Sequence, residues 1–122
     1  MQPLIIEQTR KSPKIELKNG ILNFTGCSIH EDPWTFFTPV MEWIEEYIQN
    51  PQKETIVNIK FEYIDSASVK TFFEALKLLE KLAKRKMVLV NWYFDFNDPE
   101  ILELGEILQS KINIEFKFIE NA

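Results

Sequence analysis

With 122 residues, 45% of them hydrophobic and 10 of them Phe, the chain is long enough for one domain whose core needs no staple, and too apolar for disorder beyond its ends. Its 14 basic and 19 acidic side chains leave a net charge of -5, which argues against the phosphate neutralisation behind non-specific nucleic-acid binding. The single cysteine, Cys27, excludes an internal disulfide; no apolar run approaches the ~18 residues of a membrane span, and Met1–Glu7 lacks the basic start of an export signal, so a soluble, cytoplasmic protein is expected.

A short strand is expected near Leu4–Gln8, followed by the polar stretch Thr9–Pro13. Ile15-Glu16-Leu17 and Ile21-Leu22-Asn23-Phe24 alternate on either side of Lys18-Asn19-Gly20, and Asn-Gly between alternating runs is a strong hairpin signal. Gly26 to Asp32 reads as a loop, after which Pro33 suits the first turn of a helix over 33–49. Its core stripe is Phe36, Val40, Trp43, Ile44 and Tyr47, widened by Phe37, Met41 and Ile48. Pro39 inside the first turns either kinks that helix or delays its start. A strand over 55–64 leads into a helix over 66–84, whose buried face is Val69, Phe72, Phe73, Leu76, Leu79 and Ala83 and whose solvent face carries Lys70, Lys77, Lys81 and Lys84. Residues 87–94 form a nearly continuous apolar strand, the pattern of burial on both faces. Asp98 caps and Pro99 opens a third helix over 99–109, and residues 112–118 alternate as a final edge strand. Strands that alternate with helices after a hairpin predict an α/β fold in a single domain, 1–122: a mixed sheet with an N-terminal β-hairpin and three helices packed mainly on one face.

Chemistry is sparse. Cys27 and His30 supply two metal ligands where a structural zinc wants four and a catalytic one three, so no metal is expected. Neither Ser28 nor Ser66 sits in a Gly-x-Ser-x-Gly elbow. The glycines Gly20, Gly26 and Gly105 lie far apart, so no phosphate-cradling loop and no cofactor are expected. Asp95 and Asp98 at a strand end are ordinary turn and cap residues, although a small enzyme would draw on them or on His30. The aromatic runs around Trp34 and Trp92 lack the interleaved basic residues of a nucleic-acid platform and fit a core or a protein-facing patch.

The most informative stretch is Phe61-Glu62-Tyr63-Ile64-Asp65-Ser66-Ala67-Ser68-Val69-Lys70, where strand spacing gives way to helix spacing. Asp65 is a good N-cap and places Ser66 and Ser68 in the first turn, where the helix dipole and free N–H groups favour a phosphate. Plain capping explains the same residues, and the local pattern alone leaves both readings open.

Three blocks together resemble the SiaC-like family of bacterial regulatory phosphoproteins, whose fold is STAS-related. They are Phe36-Phe37-x-Pro39-Val40-Met41-x-Trp43-Ile44-x-x-Tyr47, the junction 61–70 with the helix behind it, and Val88-x-Val90-Asn91-Trp92-Tyr93-Phe94 followed by Asp98-x-Glu100 and Leu104-Gly105-Glu106. The resemblance implies a non-enzymatic switch, phosphorylated at a Thr within an Asn-Thr-Ser-Ser-like motif by a kinase with a histidine-kinase-like ATPase fold and reset by a PP2C-like phosphatase. Its unphosphorylated form binds and regulates a diguanylate cyclase. Carried onto this chain, the acceptor is Ser66, with Tyr63, Asp65, Ala67, Ser68 and Lys70 as flanking, partner-facing residues. Here Asp stands for Asn, Ser for Thr and Ala for the first following Ser; Asp-Ser-Ala-Ser is also similar to the acceptor motif of anti-sigma factor antagonists, the alternative reading.

Overall fold

The computed structural model describes residues 1–121 and follows the expected element order. Strand β1 (Leu4–Ile6) precedes the hairpin of β2 (Lys14–Lys18) and β3 (Ile21–Ser28). Then come α1 (Pro33–Tyr47), β4 (Glu54–Ile64), α2 (Ser66–Ala83), β5 (Met87–Phe94), α3 (Pro99–Lys111) and β6 (Glu115–Glu120). The strands form one six-stranded sheet in chain order, antiparallel from β1 to β3 and parallel from β3 to β6. Gly20 turns the hairpin with φ 86, a backbone region open to glycine at little cost.

Parallel neighbours need a crossover, and crossovers are right-handed. Because the sheet grows in a single direction from β3 to β6, that rule sets every crossover helix on the same face. Phe72 of α2 anchors the core there, its ring 5.1 Å from Phe24, 5.2 Å from Phe61 and 6.2 Å from Phe37 of α1. Beneath α3, the buried Trp92 indole donates to the Ile101 carbonyl at 2.9 Å, and Gly105 lies flat on the ring. Between α1 and β4 the buried Tyr47 and Thr55 hydroxyls share a hydrogen bond of 2.7 Å. Among the described residues the opposite face carries no helix. Across it Asn91 donates to Asn58 and Asn58 to Asn23, each at 2.9 Å and each pair in register.

Several expectations are corrected. Strand β3 runs on to Ser28, where the sequence reads as loop from Gly26; Gly26 adopts φ 112 at a β-bulge and keeps the ladder going. Helix α1 starts at Pro33, passes through Pro39 and ends at Tyr47, short of Gln49. Helix α3 reaches Lys111, and β6 begins only at Glu115. Strand β5 is covered on one face alone, since Leu89, Asn91 and Tyr93 are half-buried on the helix-free side. On α2 the fully covered positions are Ser68, Thr71, Phe72, Ala75, Leu76, Leu79 and Leu82; Val69, Phe73 and Ala83 are only half-buried.

Candidate functional site

The last turn of β4 decides what the junction presents. Gly26 pairs with Phe61 and Cys27 with Tyr63, so Glu62 is an unpaired extra residue in β4. A strand alternates faces, and one inserted residue shifts the phase. Phe61 and Ile64 therefore point into the core while Glu62 and Tyr63 point out, Tyr63 with 52% of its surface exposed.

Asp65 follows and joins three parts of the chain. Its N–H donates to the Ser28 carbonyl at the end of β3 at 3.0 Å. Its Oδ1 accepts the Ser68 N–H at 2.8 Å, capping α2, and its Oδ2 accepts the His30 N–H from the β3–α1 connection at 3.2 Å. Burial works against the Asp65 charge, but these contacts outweigh it and hold the carboxyl below its ordinary value. His30, stacked on Phe36 at 4.3 Å, has its pKa lowered by burial, with the Asp65 charge pulling the other way.

Ser66 and Ala67 are exposed in the first turn, and Lys70 is exposed one turn beyond Ser66. Ser68 is fully buried, which corrects its expected place among partner-facing residues: capping turns it inward, under the helix. The Ser68 hydroxyl lies near enough to Asp65 to favour the carboxylate, yet no acceptor meets it with hydrogen-bond geometry. Ser66 thus lies on the surface of the turn that hides Ser68.

A cleft of about 270 Å³ opens beside Ser66, bounded by Glu62, Tyr63, Asp98, Glu100 and Leu104. Sequence reasoning left Glu62 and Glu100 out of the site. The signal that finds them is topological: adjacent parallel strands β4 and β5 deliver the N-termini of α2 and α3 to one sheet edge, side by side. Ser66 consequently looks across at the acidic start of α3.

The residues weighed for catalysis have structural employment. Asp98 caps α3 by accepting the Ile101 N–H at 3.2 Å, and Asp95 accepts from the Asn121 side chain at 2.9 Å. Cys27 is half-buried in β3, while His30 sits against Phe36 and Phe37. Among the described residues, no group of three His, Cys, Asp or Glu is placed to hold a metal ion. Among them too, no helix is long and apolar enough to cross a membrane.

Over residues 6–121 the sequence matches the SiaC family of regulatory phosphoproteins. An uncharacterized protein of Pseudomonas aeruginosa (strain UCBPP-PA14) is 25% identical over 119 residues, covering 95% of this chain and 94% of that protein. The backbone is similar to the crystal structure of apo-SiaC from Pseudomonas aeruginosa, with TM-score 0.90 and 24% identity over 98% of this chain and 99% of that one. It is also similar, with TM-score 0.87 and 24% identity over 97% of this chain and 99% of the matched one, to a chain in the crystal structure of the Pseudomonas aeruginosa diguanylate cyclase SiaD in complex with its activator SiaC. These structural likenesses bear out the mixed sheet with its hairpin and three helices.

Proposed function

The chain belongs to the SiaC family of regulatory phosphoproteins, and on that premise we propose that it is a non-enzymatic switch whose binding of a diguanylate cyclase is set by phosphorylation of Ser66. The observation that carries the choice of residue is the contrast within one helical turn: Ser66 is exposed while Ser68 is sealed under the helix. A kinase needs a hydroxyl it can reach, and Ser66 offers one on a rigid support. A kinase with a histidine-kinase-like ATPase fold and a PP2C-like phosphatase complete the cycle in this reading.

A phosphate there adds about -1.5 to -2 charge. The helix N-terminus favours it, while Glu62, Asp98 and Glu100 across the cleft oppose it. The opposed effects leave the fold intact and change what the surface accepts. The unphosphorylated chain is the binding form.

Binding to a diguanylate cyclase from the same organism, compared among wild type, Ser66→Ala and Ser66→Asp, tests the reading. Wild type and Ser66→Ala bind alike, and Ser66→Asp loses roughly 10-fold or more, about 1.4 kcal/mol. Equal binding by all three, with no phosphate on Ser66 in cells, overturns it.

A further inference from the structure

Charge is divided between the two ends of the sheet. Four connections lie at the end where the parallel strands begin: 18–21, 48–54, 84–87 and 112–115. They carry five cations, Lys18, Lys53, Lys84, Arg85 and Lys86, against two acids, Glu54 and Glu115, and all seven are exposed. The connections at the Ser66 end, 7–13, 29–32, 65 and 95–98, hold six acids and only Arg10 and Lys11 as cations. Capping accounts for part of the contrast: Lys84 closes α2, and the Arg85 guanidinium donates to the Ile48 carbonyl behind α1. Lys18, Lys53 and Lys86 adjoin strands instead and serve no helix end. Beside them stand two exposed large apolar side chains, Ile21 at 46% and Met87 at 52%. Ile21 pairs with Lys18 across the hairpin, and Met87 follows Lys86.

We propose that this end rests on an anionic lipid bilayer, with the cations of three connections on its headgroups and Ile21 and Met87 in the headgroup boundary. The fit is one of shape as well as sign. The cations are spread from β2 to β5, across about 14 Å of sheet, and the surface between Asn19 and Lys53 is only a shallow, open hollow. A flat partner covers all of them at once. Single-stranded nucleic acid stacks its bases on aromatic side chains, and none of the four connections holds an aromatic residue. An acidic protein would match the charge, but a bilayer also offers the boundary into which apolar side chains beside lysines sink.

The net charge of -5 opposes this contact only weakly, because the acids are far from it. Strand β4 runs for 11 residues, so the acidic end stands about 35 Å away, several times the ~8 Å over which charge is felt at physiological salt. Each cation close to an anionic surface multiplies partitioning by about five, and Glu54 and Glu115 take back part of that gain. The attachment is therefore reversible. It leaves the Ser66 junction, at the opposite end of β4, turned away from the lipid, and it stands independently of the switch reading given above.

The test sediments the full chain with vesicles of phosphatidylcholine, either alone or with about 30% phosphatidylserine, near physiological salt. The chain binds the anionic vesicles at least ~10-fold more than the neutral ones, and salt of about 0.5 M releases it. Lys84→Ala with Lys86→Ala lowers that binding by ~10-fold or more. Arg10→Ala with Lys11→Ala removes the same charge at the other end and leaves binding within about twofold of wild type. Met87→Ser weakens binding severalfold, and Glu54→Gln strengthens it. All of these positions are exposed, so the variants keep the fold. No binding, equal binding to both vesicles, or equal weakening by the two double variants overturns the proposal. Met87→Ser bound as tightly as wild type would leave charge as the sole attraction, the mark of an acidic protein or a nucleic acid, and would overturn the bilayer as occupant.

Discussion

Asp65 accepts N–H groups from two segments that lie far apart in sequence, Ser68 in α2 and His30 before α1. Removing its carboxylate frees both donors, so Asp65→Ala is expected to cost about 1–2 kcal/mol, read as a lower denaturation midpoint. The pH dependence follows from the same pair of residues. The Asp65 carboxyl is held below its ordinary 3.8, so its contribution is present above that value and lost as pH falls through the lower folded value. His30 lies below its ordinary 6.5 because of burial, so the unfolded chain takes up the proton first and stability declines as pH drops below 6.5. Both act in one direction on acidification. Chemical denaturation between about pH 7 and 5 should show His30→Gln with a flatter decline than wild type; parallel curves would remove His30 from the account. A second single-residue expectation concerns Gly105, where an added Cβ would lie 2.5 Å from the Trp92 indole nitrogen. Gly105→Ala forces α3 off Trp92 and should cost about 1–3 kcal/mol in thermal unfolding.

Among elements, α3 is the least deeply seated. It buries Ile101, Gly105 and Leu108, whereas α1 and α2 each bury seven residues. Amide exchange should therefore release α3 before either of the other helices, and Trp92→Phe, which deletes the bond to the Ile101 carbonyl, should widen the gap by about 1 kcal/mol. Uniform exchange across the helices would contradict that ranking. Local signals made most elements legible: Asn19-Gly20 for the hairpin, Asp65 and Asp98 for the helix starts, and Lys70, Lys77, Lys81 and Lys84 for the outer face of α2. The failures share a cause. The bulge at Gly26 and Glu62, the half-open Val69 and Phe73, and the uncovered side of β5 all depend on what packs opposite, and a residue's own spacing does not carry that. The position of Ser66 was readable because a cap is a local device. Its acidic neighbours across the cleft come from a different crossover, Glu100 at the start of α3, and only the strand order brings them near.

For the whole molecule, the balance of charge around the junction predicts a modest response to modification. Ser66→Asp should shift Tm by no more than a few degrees, because the helix dipole and the facing carboxylates act in opposite senses; a large drop would mean that the phosphate works by unfolding α2. The sheet order β1 to β6 has a consequence for synthesis. Each strand that leaves the ribosome finds its neighbour already in place, and no later segment has to thread between earlier ones. The chain can therefore assemble outward from the hairpin, one crossover at a time. In that order α2 docks before α3 exists, and the cleft beside Ser66 closes only when the C-terminal segment arrives. A chain cut before Pro99 would carry the serine but lack the α3 wall of the cleft beside it, so a partner that reads both walls is blind to α2 until α3 has docked.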